Sequence, residues 1–132
     1  MKQYLLDTNI CIFFMKGLYD LQTKFQKAGI ENCFISEITL AELKFGVENS
    51  QAKEKNTIAL ANFLSGVTII PIFPSLDIYA REKARLRKIG QPVDDFDLLI
   101  GATAISNNLI LITNNVDHLG RMNDINIEDW AQ

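Results

Sequence analysis

Short apolar segments alternate with longer helical patterns along almost the whole chain. "QYLLD", "NCFIS", "VTIIPIF" and "LILIT" have the length of strands, and a shorter "INIED" follows near the end. The nearly continuous apolar run of "QYLLD" indicates a strand buried on both faces, and parallel strands need the crossover connections that helices provide. The pattern therefore predicts an α/β fold, a mostly parallel central sheet flanked by helices.

Six helices are predicted between these strands. The first covers "TNICIFFMKG", with Thr8 as its N-cap and Gly17 at its end. Ser36 is the predicted N-cap of a helix over "EITLAELKFGV". The others are predicted over residues 18–28, 51–64 and 75–89 and from "DDFDLLIGATA" onward.

Length and composition predict a single domain spanning residues 1–132. The net charge of -3 gives no overall basic field that would indicate nucleic-acid binding. Cys11 and Cys33 lack CxxC spacing and are predicted to be buried free thiols, which suits a reducing compartment. The N-terminus has no signal-peptide pattern, and no apolar run reaches the roughly 18 residues of a membrane span. A cytoplasmic location is therefore expected.

Polar side chains collect where the predicted strands end. The first strand is followed by "DTN", and the "LILIT" strand by "NNVD". Glu42 lies in the helix after the second strand, and Asp97 lies in the first turn of the helix before "LILIT". Ligands of open α/β sheets bind beyond the carboxyl ends of the strands. Three separate segments would thus bring Asp7, Glu42 and Asp97 to one edge.

Three neighbouring carboxylates require compensation. Two like charges about 4 Å apart repel by roughly 4 kcal/mol at an effective dielectric constant near 20, so three pairs would cost about 12 kcal/mol. Either their pKa values rise or cations bind. Lysine and arginine are missing from these strand ends, and acids, amides and hydroxyls suit Mg²⁺ or Mn²⁺ rather than zinc. The pattern therefore predicts metal-dependent phosphodiester hydrolysis.

Each acid also has a structural interpretation. Asp7 could end a strand, Glu42 could be solvated, and Asp97 could stabilise a helix dipole by about 0.3–1 kcal/mol. Other catalytic classes have less support, because the chain contains no GxSxG, GxGxxG or P-loop motif. His118 is the only histidine and is predicted to be a surface loop residue.

The sequence resembles the PIN-domain ribonucleases, and in particular the VapC-type toxins of bacterial toxin–antitoxin pairs. The resemblance covers nearly the whole chain and rests on "LLDTNICIFFMK", "ISEITLAELKFGV", "PVDDFDLLIGATAISNNLILITNN" and "INIEDW". It implies a single PIN-like domain and an endoribonuclease that uses Mg²⁺ or Mn²⁺ to cut RNA, with tRNA among the substrates of the family. It also implies a VapB-type antitoxin that binds the site or its rim, and a homodimer that uses the apolar helices before residue 65.

The resemblance assigns the metal-binding acids to Asp7, Glu42 and Asp97. It assigns polar residues that line the site to Thr8, Asn9, Thr113 and Asn115.

The fourth acid departs from the family pattern. Many PIN domains have aspartate where this chain has Asn115, and many VapC-like chains have an acid where it has His118. Asp117 is the candidate fourth catalytic and metal-binding residue, and a site of three acids around one metal is the alternative.

The three aspartates of "PVDDFDLL" receive different predicted roles. Asp94 is the expected N-cap, Asp95 the first helical residue facing solvent, and Asp97 the metal ligand. Asp95 and Asp97 would point about 200° apart on a helix.

RNA binding needs positive charge close to the site. "YAREKARLRKIG" supplies it at helical spacing, and a solvated helix face is the alternative interpretation. The candidate RNA-binding residues are Arg81, Lys83, Arg85, Arg87 and Lys88.

One other function remains open, and a second has little support in the sequence. A catalytically weakened PIN-like module would bind RNA or a partner without cutting, and the altered fourth-acid position supports it. A phosphoacceptor receiver domain shares the α/β pattern, but it needs an aspartate at the end of a middle strand and a lysine at the end of a late one. "VTIIPIF" and "LILITNN" supply neither.

Overall fold

The computed structural model describes residues 2–132 and confirms the predicted α/β architecture. Its strands are β1 (Tyr4–Leu6), β2 (Cys33–Ser36), β3 (Thr68–Ile70), β4 (Ile110–Ile112) and β5 (Ile127–Glu128). They form one sheet in the order β3-β2-β1-β4-β5, and all four pairings are parallel. The predicted domain begins at Met1, which lies outside the described residues.

Helices connect these strands. They are α1 (Thr8–Met15), α2 (Leu21–Ala28), α3 (Glu37–Glu48), α4 (Lys53–Leu64), α5 (Leu76–Lys88), α6 (Asp95–Ser106) and α7 (Val116–Leu119). The first six were predicted, whereas the four residues of α7 are too few to show a periodic pattern. Within residues 2–132, no helix has the length and apolar composition that crossing a bilayer requires.

Two helix starts differ from the prediction. The N-cap of α1 is Asp7 rather than Thr8, because the backbone N–H of Thr8 donates to Asp7 Oδ1 at 2.8 Å. The second helix begins at Leu21 rather than at residue 18. Tyr19 and Asp20 have φ values of 57° and 52°, a left-handed conformation that cannot continue a right-handed helix. Two predicted N-caps are confirmed: Ser36 and Asp94.

The sheet separates two apolar clusters. Leu5 and Leu6 are neighbours in β1, yet they enter different clusters and are both fully buried. This follows from the alternation of side chains along a strand, and it confirms that β1 is covered on both faces. Cys11 and Cys33 are buried free thiols in the cluster of Leu6, as predicted.

The topology brings the polar residues to one edge. β1 is the central strand, and the backbone N–H of Asp7 donates to Ile112 O at 2.9 Å across the end of β4. α3 starts directly after β2, so its first turns lie at the carboxyl edge of the sheet. α6 precedes β4 as the crossover between parallel strands, so its N-terminus returns to the same edge.

Two helix glycines should respond in opposite ways to alanine. A Cβ atom at Gly46 in α3 would meet nothing within 4 Å, so Gly46→Ala should raise the free energy of unfolding by about 0.5–1 kcal/mol. A Cβ atom at Gly101 in α6 would collide with the buried Met122 sulfur, so Gly101→Ala should lower that free energy by about 1–2 kcal/mol. Urea denaturation measures both, and a gain from both variants would contradict the tight packing at Gly101.

Candidate active site

Asp7 is held at the centre of the sheet edge by its neighbours. Only 4% of its surface is exposed. Oδ1 accepts from the Thr8 backbone N–H at 2.8 Å, and Oδ2 accepts from the Thr113 hydroxyl at 2.7 Å. Burial raises the pKa of Asp7, while the hydrogen bonds from Thr113 and Thr8 act to lower it. Both oxygens are therefore oriented before any ligand binds.

Glu42 reaches the same region from α3. The Thr8 hydroxyl donates to Glu42 Oε1 at 2.6 Å, and it also lies 3.1 Å from the hydroxyl of the fully buried Thr39. Thr8 has one hydroxyl proton, so when it donates to the carboxylate it accepts from Thr39. Sequence reasoning missed Thr39. Its signal was a polar residue three positions before Glu42 on the same helix.

Asp97 enters from the first turn of α6. Its Oδ2 accepts from Asn115 Nδ2 at 3.2 Å. The backbone N–H of Asn115 donates to the Thr113 hydroxyl oxygen at 3.0 Å, and Thr113 in turn donates to Asp7. The segment after β4 thus connects Asp7 to Asp97.

The charges of the other acids act on Asp97. Its pKa is raised to about 6, first by burial and then by the negative charges of Asp7, Asp94 and Glu42, while His118 opposes the shift. The structure therefore brings the three predicted acids within electrostatic reach of one another, and their repulsion is the effect expected from the sequence.

The donor set fits a hard divalent cation by its chemistry. It consists of carboxylates with hydroxyl and amide groups beside them, and a cation would relieve the repulsion that raises the pKa of Asp97. Within residues 2–132, no three His, Cys, Asp or Glu side chains lie close enough together to enclose an ion. Each acid instead accepts a hydrogen bond from a neighbouring hydroxyl or amide.

Asp117 and His118, the two residues considered at the fourth-acid position, both lie in α7. Asp117 is exposed in the first turn of α7, and it is not among the charges that shift the pKa of Asp97. His118 is exposed, as predicted, but it lies in α7 rather than in a loop, and its Nδ1 is 2.9 Å from Asn115 Oδ1. The predicted site-lining residue Asn9 is also exposed.

Asp95 and Asp97 have opposite electrostatic surroundings. Asp95 is the first residue of α6, and its Oδ1 lies 2.7 Å from Lys83 Nζ and 3.0 Å from the Tyr79 hydroxyl. Hydrogen bonds from Lys83 and Tyr79 lower the pKa of Asp95. Asp95 is therefore a surface acid paired with a lysine, whereas Asp97 is surrounded by other negative charges.

Some side chains of the basic stripe on α5 form ion pairs or hydrogen bonds within the protein, whereas others are exposed to solvent. Lys83 pairs with Asp95, and Arg85 donates to the carboxylate of Glu82 at 2.8 and 2.9 Å and to Arg121 O at 2.7 Å. Glu82 is itself buried, which the sequence did not indicate. The exposed cations of the stripe are Arg81, Arg87 and Lys88.

A groove of about 500 Å³ opens beside Glu42, between α1, α3 and α4. Its rim carries Lys16 and Lys55 as well as Glu42. Sequence patterns did not indicate it, because its walls come from three separate helices. The apolar residues that line it are Ile12, Met15, Leu43, Val47, Ala59 and Leu60.

Known proteins resemble this chain in both sequence and structure. Residues 4–124 match the PIN domain family. The tRNA(fMet)-specific endonuclease VapC of Shigella flexneri is 34% identical over 133 residues, covering 99% of this chain and 100% of that protein. The structure of DNA-bound VapBC from Salmonella typhimurium superposes with a TM-score of 0.92 and 33% identity, covering 98% of this chain and 99% of that chain. VapBC2 from Rickettsia felis, bound to a promoter DNA fragment, gives a TM-score of 0.86 and 34% identity, covering 96% and 98%.

Asp97→Asn should stabilise the metal-free protein at neutral pH. A carboxyl group whose pKa is raised by folding contributes stability below its unfolded pKa and loses that contribution as pH rises through about 6. Asparagine cannot ionise, so the variant should be more stable by about 1–2 kcal/mol at pH 7.5, after allowance for solvent screening. The difference should shrink towards zero near pH 4.

Urea denaturation in EDTA at both pH values measures the effect. Asp95→Asn is the matched control, because pairing with Lys83 lowers the pKa of Asp95 and its removal should bring no gain. Equal gains from the two variants would show that the repulsion is not specific to Asp97.

Proposed function

The chain belongs to the PIN-domain family and resembles its VapC-type members over its full length, and from this we propose that it is a Mg²⁺-dependent endoribonuclease toxin. Its curated relatives are named ribonucleases and endonucleases. The observation that carries the proposal is that Asp7, Glu42 and Asp97 reach one edge of the sheet from three separate elements, near enough for the charges of Asp7 and Glu42 to raise the pKa of Asp97. Mn²⁺ has the same ligand preference and could replace Mg²⁺.

In the proposed site, Asp7, Glu42 and Asp97 would hold the metal. The exposed Asp117 is the candidate fourth ligand, and a site of three acids around one metal is the alternative. A bound divalent cation would supply an activated water and stabilise negative charge on the phosphate. The chain's own contribution is orientation of these acids by hydroxyl and amide donors. A bound cation would lower the pKa of Asp97, since its positive charge would offset the repulsion that raises that pKa.

We propose RNA as the substrate, and the name of the Shigella relative supports tRNA as its class. α5 packs against α6, which carries Asp97. This packing and the exposure of Arg81, Arg87 and Lys88 on α5 support the proposal that these three side chains contact RNA phosphates. Lys83 and Arg85 are the less favourable candidates from the stripe, because their charges are already paired.

Asp97→Asn should reduce RNA cleavage by at least about 100-fold, since a metal ligand supports several kcal/mol of transition-state stabilisation. Asp95→Asn should leave cleavage nearly intact, because Asp95 is paired with Lys83 on the surface. The assay is gel analysis of tRNA cleavage with Mg²⁺, with EDTA as the metal-free control.

Undiminished cleavage in EDTA would overturn the metal-dependent mechanism. Equal losses from the two aspartate variants would show that the wrong carboxylate is assigned. Absence of both cleavage and specific Mn²⁺ binding in the wild-type protein would favour the non-catalytic binding module instead.

A VapB-type antitoxin is the proposed partner, because several of the solved relatives are VapBC complexes. The groove between α1, α3 and α4 offers it an apolar surface that ends at Glu42. An antitoxin segment in this groove would bury apolar side chains and could reach the acids at its end, which would block the substrate.

Substitution of Ala59, which lines this groove on α4, should separate antitoxin binding from catalysis. Ala59→Trp should weaken antitoxin binding at least about 10-fold by filling the groove, while RNA cleavage persists. Ala61→Trp is the matched control, because Ala61 is exposed on the same helix and does not line the groove. Calorimetry measures the binding of each variant to the proposed antitoxin, taken as the product of a short reading frame beside the gene for this chain. Equal effects of both variants would remove the groove as the docking site.

A homodimer is also proposed. Phe45 is 68% exposed and Phe73 is 80% exposed, and exposed apolar groups of this size are common at protein interfaces. Phe45 lies in α3, one of the helices before residue 65 that were expected to supply the interface, whereas Phe73 lies beyond residue 65.

A further inference from the structure

The histidine at the fourth-acid position is joined to the acid site by two hydrogen bonds. His118 Nδ1 lies 2.9 Å from Asn115 Oδ1, and Asn115 Nδ2 lies 3.2 Å from Asp97 Oδ2. Asn115 and His118 are three residues apart at the start of α7, where such residues are neighbours. Asp97 Oδ1 accepts no hydrogen bond from any residue between 2 and 132.

The chemistry of the three side chains decides which group donates and which accepts in each of these two hydrogen bonds. An ionised carboxylate can only accept, so the amide nitrogen of Asn115 must face Asp97. The amide oxygen of Asn115 then faces His118, so Nδ1 of His118 must carry a proton. The neutral Nδ1–H tautomer and the charged imidazolium both satisfy this requirement. The arrangement therefore does not depend on the charge of His118.

The backbone under His118 is anchored. Leu119 is fully buried, and its N–H donates to Asn115 O at 3.1 Å. Arg85 donates to Arg121 O at 2.7 Å and ties the next turn of chain to α5. His118 is thus exposed to solvent, but its backbone is held in place by these contacts. Its bond to Asn115 can therefore fix the orientation of the Asn115 amide, which in turn donates to Asp97.

We infer that His118 is a positioning residue, which orients the Asn115 amide so that one oxygen of Asp97 is held and the other is left to bind the metal. The inference deepens the proposed function and rests on it. The pair Asn115–His118 would then replace a fourth charged ligand with a neutral donor, which orders Asp97 without adding another negative charge to the site.

The test compares two amide substitutions of His118 with an alanine substitution. His118→Asn places an amide N–H close to the position of Nδ1 and can keep the bond to Asn115. His118→Gln carries its amide one bond farther out, and His118→Ala removes the donor. Mn²⁺ affinity is measured by calorimetry on each full-length variant, and thermal unfolding in EDTA reports the stability of the fold.

Glutamine and alanine variants should bind Mn²⁺ about 10-fold more weakly, while the asparagine variant should stay within about twofold of the wild type. Unfolding temperatures should be similar for all four proteins, because His118 is on the surface. Wild-type affinity in the alanine variant, or equal affinities in the asparagine and glutamine variants, would overturn the role of His118.

Asp117→Asn tests the competing assignment. Loss of Mn²⁺ affinity in this variant, with unchanged affinity in His118→Ala, would make Asp117 the fourth ligand and reject the inference alone. A wild-type protein that binds no Mn²⁺ would overturn the proposed function itself, and the inference with it.

Discussion

The burial of Asp7 at the end of the central strand is the constraint on which the site depends. A carboxylate with 4% exposure is costly unless its oxygens are bonded. The hydroxyl of Thr113 and the backbone of Thr8 supply those bonds, and they also fix where the acid points. The central position of β1 in a parallel sheet makes this possible, because β4 ends directly beside it.

Hydroxyl and amide groups organise the other two acids in the same way. Thr8 bonds Glu42, while Asn115 bonds Asp97. None of these donors carries a positive charge, so the repulsion among the acids persists and appears as the raised pKa of Asp97. A site built like this holds its acids in place while their mutual repulsion persists, and a bound divalent cation would relieve that repulsion.

The basic side chains of α5 have two different roles. On α5, Arg85 and Lys83 are used within the fold, one to bind the buried Glu82 and one to pair with Asp95. Neighbours on the same helix keep their charge in solvent, where phosphates could meet it. A regular basic pattern in the sequence thus contains structural and surface cations that spacing alone cannot separate, because both kinds repeat at the period of the helix.

The sequence by itself determined the α/β class, six of the seven described helices, the parallel sheet and the placement of three acids at one edge of that sheet, because apolar periodicity and strand-end polarity are local signals. It did not reveal Thr39, the roles of Arg85 and Glu82, or the groove beside Glu42. Each of these depends on contacts between segments far apart in the chain. His118 shows the difference most clearly. Its position in the motif was visible in the sequence, and its bond to Asn115 is local to the start of α7. The bond from Asn115 to Asp97, which connects His118 to the acids, exists only because α7 and α6 meet in the folded protein.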